Sequence, residues 1–128
     1  MGDKGIEYKE DKLTELIIKS VIKVHNTLGP GFLESIYTKA LLIELNNCNI
    51  TAENEKEVII SYQDEQIGCP RLDILVENRI IIELKTVENF SKSHYAQIRS
   101  YLKATGLKVG ILVNFAKEGA DFRRIEIY

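Results

Sequence analysis

The stretch that decides the fold is PRLDILVENRIIIELKTV, residues 70–87. Two apolar runs of strand length flank the polar tripeptide ENR at 77–79, which predicts an antiparallel β-hairpin. The second run, residues 80–84, carries apolar side chains on both faces, as in a strand that is covered on both sides. Glu83 and Lys85 interrupt this pattern. Ionised groups are costly in such a strand unless they are paired or bound, so these two lie near its open end or serve chemistry.

The length of the connecting loop determines which side chains meet. A three-residue loop pairs Val76 with Ile80 and puts Asp73 opposite Glu83, with the lysine two residues later on the same face. Such a loop needs a residue with positive φ, which Asn78 tolerates. A two-residue turn would put Asp73 on the opposite face. The three-residue loop therefore predicts two carboxylates and one ammonium on one patch of the sheet.

The rest of the chain predicts the element order α-α-β-β-β-α-β-β. Helices are expected over about 11–28, 32–46 and 92–105, and further strands over about 53–62, 107–115 and 122–128. The first two helices are separated by LGPG at 28–31, and the third lies between the N-cap Ser91 and Gly106. This order predicts an α/β or α+β fold, with the hairpin at the centre of a mixed sheet and helices on its faces. We expect one domain, residues 11–128, after a flexible N-terminal segment, residues 1–10.

Composition limits the classes of function. With 17 basic and 19 acidic residues the net charge is −2, so nothing attracts nucleic acid in general and a nucleic-acid partner needs a local basic face. Two modest groups of cations could form one: Lys92, Arg99 and Lys103, and Lys117, Arg123 and Arg124. Composition alone favours solvated surface for both groups. No apolar run approaches the ~20 residues of a membrane span, so we expect no membrane partner. The charged start lacks the apolar centre of a secretion signal, which predicts a cytoplasmic protein.

The cysteines point away from metal binding through sulfur. Cys48 and Cys69 are 21 positions apart, with no CxxC spacing and no neighbouring histidine. The pattern predicts two small buried or half-buried thiols rather than metal ligands or a disulfide.

The hairpin carries Asp73-x9-Glu83-x-Lys85, which resembles the motif of the PD-(D/E)XK nuclease superfamily. The residue types suit that chemistry, because Mg²⁺ prefers oxygen ligands and can bind through one or two carboxylates plus waters. Bound Mg²⁺ polarises a phosphodiester and lowers the pKa of a water, while a lysine offsets developing charge. The short motif is weak alone, and CPRLD lacks the Pro-Asp dipeptide that names the superfamily.

A longer signature lies upstream. GPGFLESIY at 29–37 contains Gly31-x-x-Glu34-x-x-Tyr37, and together with HYAQIRSYLKATGLKVGILVNF at 94–115 it resembles the GxxExxY family. The likeness runs from about residue 13 to residue 125. It implies a restriction-endonuclease-like fold and a metal-dependent nuclease that uses Mg²⁺ or Mn²⁺.

The resemblance also implies a set of roles. The predicted catalytic residues are Glu34, Asp73, Glu83, Lys85 and Gln97. The predicted metal ligands are Glu34, Asp73, Glu83 and the carbonyl group of Leu84. The predicted supporting residues are Tyr37, Tyr101 and His25.

Each of these helical residues has a simpler interpretation. Glu34 in a first helical turn is favoured by the helix dipole, and Tyr37 one turn later can serve packing. Gln97 and Tyr101, at i and i+4, share a helix face that can touch the sheet through an ordinary polar contact, although the pair resembles an extra motif of RecB-type nucleases. His25 can bond the last carbonyl groups of its helix. His94 can be a surface residue of a first turn.

Three functions remain open at this point. The first is a Mg²⁺-dependent nuclease that acts on nucleic acid, DNA in preference to RNA. The second is a non-catalytic module of the same fold that binds nucleic acid or a protein. The third is a structural subunit in which Glu83 and Lys85 form a buried ion pair. A homodimer is compatible with all three.

Overall fold

The computed structural model describes the backbone of residues 4–128 and the side chains from residue 11 onward. The helices are α1 (Lys4–Leu28), α2 (Glu34–Asn47) and α3 (Lys92–Thr105). The strands are β1 (Ala52–Glu57), β2 (Ile60–Tyr62), β3 (Glu65–Gly68), β4 (Arg71–Val76), β5 (Ile80–Lys85), β6 (Val109–Asn114) and β7 (Asp121–Glu126). Residues 1–3 and the side chains of residues 4–10 lie outside this description. The division into a flexible segment and one domain stays a prediction.

Five of the strands form one mixed sheet in the order β1-β4-β5-β6-β7. β5 and β6 pair in parallel and are joined by α3, whereas the other neighbours are antiparallel. α1 and α2 pack on one face, around Ile17, Leu41 and Ile82, and α3 packs on the other, around Ile81 and Ile98. The predicted α+β architecture, with the hairpin in the middle of a mixed sheet and helices on its faces, is confirmed.

Glycines end α1, and a capping serine begins α3, where the sequence predicts. Gly29 and Gly31 have φ of +69° and +112°, a region that favours glycine, so α1 ends and the chain turns toward α2. The Ser91 hydroxyl accepts the His94 N–H, and the His94 ring accepts the Ser91 N–H, which closes a capping box at the start of α3. His94 is thus part of the helix cap rather than a simple surface residue.

The prediction of a single strand over residues 53–62 is wrong. It is divided into β1 and β2, and β2 forms a separate two-stranded sheet with β3. A turn with positive φ at Gln63 and Asp64 joins that pair. β3 was not predicted, because most of its residues are exposed and give no alternating apolar signal.

The central hairpin has the predicted register. Val76 pairs with Ile80 across a three-residue loop, and both Glu77 and Asn78 have positive φ, at 52° and 55°. The β5 residues from Ile80 to Leu84 are all buried, as expected for a strand covered on both faces.

Strand alternation over residues 71–76 predicts Leu72, Ile74 and Val76 on one face of β4, and this is wrong for Leu72. Ile74 and Val76 do face the α1/α2 side, but Leu72 packs on the α3 side together with Leu75. Regular alternation would keep Leu72 with Ile74. The alternation breaks at Asp73, where β4 stops pairing with β5.

The prediction of buried or half-buried thiols is also wrong. Cys48 and Cys69 are both exposed, although both are free, as expected. Cys48 lies at the C-cap of α2, and the Cys69 thiol donates a hydrogen bond to Glu57 at 3.6 Å. Among the described residues, no helix combines the length and the apolar character that crossing a membrane requires.

The approach of α3 to β6 provides a test of the fold. A Cβ added at Gly110 would lie 2.6 Å from Ile98 Cδ1 and 2.9 Å from Ile98 Cγ1. We expect Gly110→Ala to lower the free energy of unfolding in urea by about 1–3 kcal/mol, because the buried isoleucine has to move. The cost should shrink in an Ile98→Val background, which lacks Cδ1. Gly68→Ala is the control, since nothing lies within 4 Å of its added Cβ. An equal cost in both backgrounds would contradict this close contact.

Candidate active site

The site begins where the β4–β5 ladder ends. The last paired residues are Ile74 and Ile82, and beyond them side chains replace the backbone bonds. Glu83 Oε1 accepts the Asp73 N–H at 3.3 Å, and Asp73 Oδ2 accepts the Leu84 N–H at 2.8 Å. The structure therefore brings the two carboxylates together, through bonds across the gap between the strands rather than as a regular cross-strand pair.

Glu83 is a buried acid with an unfavourable environment for its charge. Its side chain is only 3% exposed. Burial first, and then the charge and hydrogen bond of Asp73, raise its pKa from 4.5 to about 9, whereas Lys85 opposes the rise. Glu83 therefore keeps its proton to a higher pH than an exposed glutamate does.

Glu34 lies in the first turn of α2, and the charges of Asp73 and Lys85 also affect its pKa. Burial raises the pKa of this half-buried carboxyl, Asp73 raises it further, and Lys85 lowers it. It stands back from the pair, however. Among the side chains from residue 11 onward, no three His, Cys, Asp or Glu groups lie close enough together to hold a metal ion. The structure thus brings Asp73 and Glu83 into contact and leaves Glu34 beside them.

α3 adds two polar side chains to this patch. Lys85 Nζ donates a hydrogen bond to Gln97 Oε1 at 3.1 Å. Burial raises the pKa of Tyr101, and the charges of Glu83 and Asp73 raise it further, which places its hydroxyl within reach of their field. A hydrogen bond from Gln97 opposes that rise. The predicted i, i+4 pair therefore does share the helix face that looks onto the carboxylates.

Tyr37 stabilises the loop that precedes Glu34. Its hydroxyl donates to the Gly29 carbonyl at 2.5 Å and accepts the Phe32 N–H at 3.2 Å. Its ring stacks on Phe115 at 4.4 Å between centroids. The hydroxyl therefore holds the loop between α1 and α2, which fixes the position of Glu34 at the start of α2.

His25 does not bond the last carbonyl groups of α1 through its side chain, so that interpretation is wrong. Its Nε2 lies 2.7 Å from the Lys117 carbonyl oxygen, in the segment after β6. Its buried ring also stacks on Phe115, at 6.2 Å. His25 therefore joins α1 to the loop between β6 and β7.

Sequence reasoning missed Asn114 at the end of β6. This fully buried side chain donates to the Val87 carbonyl at 2.7 Å and accepts the N–H groups of Val87 and Ala116, each at 3.1 Å. It anchors the segment that follows Lys85 and leads to α3. The available signal was a single amide that interrupts the apolar run ILVNF.

The donor set fits a hard divalent cation. Asp73 and Glu83 supply carboxylate oxygens, and Mg²⁺ commonly binds through one or two of these plus waters. Burial and the charge of Asp73 both raise the pKa of Glu83, so a bound cation beside it would offset an unfavourable negative charge. Asp73 and Glu83 are thus the residues that could hold Mg²⁺ or Mn²⁺.

The retained proton predicts a pH dependence of stability. Folded Glu83 keeps its proton to a higher pH than unfolded Glu83, so the free energy of unfolding should fall as pH rises from about 4.5 to about 9. Glutamine does not ionise. We therefore expect the melting temperature of Glu83→Gln, relative to the original protein, to increase with pH across this window in metal-free buffer. Glu88→Gln, at an exposed position beyond β5, is the control. A difference that does not change with pH would contradict the raised pKa of Glu83.

Comparisons with known proteins show which family this chain belongs to. A search of curated proteins found no match. Among solved structures, the crystal structure of SSO0001 is similar, with a TM-score of 0.57 and 26% sequence identity. The match covers 94% of this chain but only 60% of that one, so this chain spans about three fifths of its length. The family model of the PD-(D/E)XK nuclease superfamily matches residues 11–125. Because that match covers nearly the whole chain, the protein belongs to the PD-(D/E)XK nuclease superfamily.

Proposed function

We propose that the protein is a nuclease that hydrolyses phosphodiester bonds of nucleic acid with the help of Mg²⁺ or Mn²⁺. The observation that carries this proposal is the contact between Asp73 and Glu83 at the end of the β4–β5 ladder, with Lys85 bonded to Gln97 beside them. Membership of a nuclease superfamily supports it. A metal site makes use of a buried acid whose charge is unfavourable, because a bound cation offsets that charge.

The metal would be held by Asp73 and Glu83, and Glu34 and the Leu84 carbonyl group are the proposed further ligands. When bound, it would polarise the phosphodiester and lower the pKa of a water molecule. Lys85 is positioned to offset the negative charge that develops on the phosphoryl oxygens. Gln97 accepts a hydrogen bond from the Lys85 ammonium and thereby orients it. Burial around Glu83 limits water and strengthens each of these charge interactions.

We further propose that the chain is a GxxExxY protein of this superfamily. The contacts of Tyr37 give that motif a physical purpose, because the tyrosine holds the glycine-containing loop that starts the helix of Glu34. We also propose DNA in preference to RNA as the substrate, and a cytoplasmic location.

A homodimer is the assembly we propose. The exposed apolar side chains Leu33, Ile36 and Ile43 lie on or beside α2, and burying them is a favourable basis for self-association. Sedimentation should show a dimer that Ile43→Glu weakens. A monomer at all accessible concentrations would contradict this assembly.

A second candidate is a module that binds without cutting. The observation in its favour is that Glu34 stands back from the pair, so no three acidic side chains among the described residues surround one point. The structural-subunit hypothesis finds less support, because the Lys85 ammonium bonds to Gln97 and no ion pair with Glu83 is seen among the described side chains.

Cleavage and metal binding separate the first two functions. We expect the protein to cleave DNA only with Mg²⁺ or Mn²⁺, and Glu83→Ala and Lys85→Ala to lower the rate by at least about 100-fold, since each removes a group that acts on the reacting phosphate. Mn²⁺ alone should raise the melting temperature of the original protein but not of Asp73→Asn.

Glu88→Ala is the matched control, because it removes an exposed carboxylate three residues beyond Lys85. Cleavage that persists equally in Glu83→Ala would show that another nuclease contaminates the preparation. A metal-induced rise in melting temperature without cleavage would favour the binding module.

A further inference from the structure

α3 is a cationic surface on an acidic protein. Its side chains include Lys92, Arg99 and Lys103 but no aspartate or glutamate, whereas the whole chain has a net charge of −2. All three cations are exposed, and among the described side chains none of them forms an ion pair. By contrast, Lys23 and Arg71 bind neighbouring glutamates. The charge of α3 is therefore available to an external anion.

Aromatic rings lie beside these cations. The Arg99 guanidinium is 5.8 Å from the centre of the Tyr95 ring, and the Arg123 guanidinium is 5.7 Å from that of Phe90. Phe90 contacts Tyr95 and His94 edge to face, at 6.1 Å and 6.3 Å. We call these five residues the aromatic strip. Its rings are half-buried, so each packs partly on the core and leaves part of its surface to solvent.

The sheet register places the strip near the carboxylate pair. Glu83 pairs with Leu112, and Leu112 pairs with Arg123, so the glutamate and the arginine lie in one row two strands apart. That separation is about 10 Å at ordinary strand spacing. α3 links the two places directly, because its Gln97 holds Lys85 while its Tyr95 belongs to the strip. Leu112, which lies between them, is buried beneath Ile98 and Leu102 of α3. A nucleic acid that reached from one place to the other would therefore cross the exposed face of α3, which carries Lys92, Arg99 and Lys103.

The opposite edge of the sheet carries paired charges. β1 exposes Glu53, Glu55 and Glu57, but Lys56 pairs with Glu53, and Arg71 pairs with Glu55 and Glu57. A phosphate backbone therefore meets unpaired cations on α3 and only paired charges at β1.

We propose that α3 and the aromatic strip bind an unpaired strand of nucleic acid and lead it to the Asp73–Glu83 pair. This inference rests on the proposed nuclease function and specifies its substrate as single-stranded. Cations that follow the backbone, combined with rings and guanidinium planes on which bases stack, are the features of single-strand binding. In a duplex the bases are stacked on each other, so the strip would have nothing to hold and only the lysines would contribute.

Equilibrium binding tests this proposal without relying on catalysis. Fluorescence anisotropy would use the full chain in EDTA with a labelled DNA strand longer than ~10 nucleotides, its duplex, and the RNA strand of the same sequence. We expect the DNA strand to bind at least about tenfold more tightly than the duplex. Phe90→Leu and Tyr95→Leu keep apolar packing but remove a ring, and each should weaken single-strand binding about tenfold and leave duplex binding unchanged.

Salt dependence tests the cations. Replacing Lys92, Arg99 and Lys103 by glutamine should reduce the slope of log K against log salt by about two, because ~0.7 counterion is released per phosphate contact in single strands. The matched control replaces Lys12, Lys19 and Lys39, three exposed lysines of α1 and α2, by glutamine and should leave the slope unchanged. Melting curves of every variant show whether it is folded.

The outcomes distinguish this inference from the proposed function. Tighter binding of the duplex, no binding of any strand, or folded strip variants with unchanged single-strand affinity would each overturn the inference. If cleavage is metal-dependent but unchanged in the strip variants and in the triple glutamine variant, the nuclease function stands and the single-strand inference fails. Binding as expected without any metal-dependent cleavage would overturn catalysis and leave the binding surface established.

Discussion

The structure depends on the exchange of bonds between Asp73, Glu83 and Leu84 where β4 and β5 separate. Each carboxylate takes a backbone N–H that the other strand would normally satisfy, so the strands stay joined without a ladder. Unpaired N–H groups at this depth would be costly. The same two side chains that complete the backbone bonding therefore also form the charged centre of the site, and neither can change without affecting both.

A second group of contacts holds the other side of the site in place. His25, Phe115 and Tyr37 form a stack that runs from α1 through the end of β6 to α2. The Phe115 N–H donates to the Lys85 carbonyl at 3.0 Å, so the stack is tied directly to the end of β5. One continuous set of contacts thus sets the positions of α1 and α2 and of Lys85, so Tyr37 can influence the site without touching a substrate.

Much of this could be predicted from the sequence because the signals are local. The loop of residues 77–79 determines the hairpin register, and the run from Ile80 to Leu84 shows a strand buried on both faces. What could not be predicted depends on contacts between distant segments. Asn114 has no periodic signature, His25 finds its partner 92 residues away, and Leu72 changes face because the ladder ends beside it. The exposed β3 also lacks the apolar pattern from which strands are read.

The two edges of the main sheet have a consequence for self-association. β1 is almost entirely exposed and carries Glu53, Glu55 and Glu57, and β7 at the opposite edge carries Arg123 and Arg124. Charged edges, together with the positive φ of Glu55, discourage a second chain from adding a strand there. Addition of a strand at either edge of the main sheet is therefore disfavoured, so this sheet resists growth into extended ribbons.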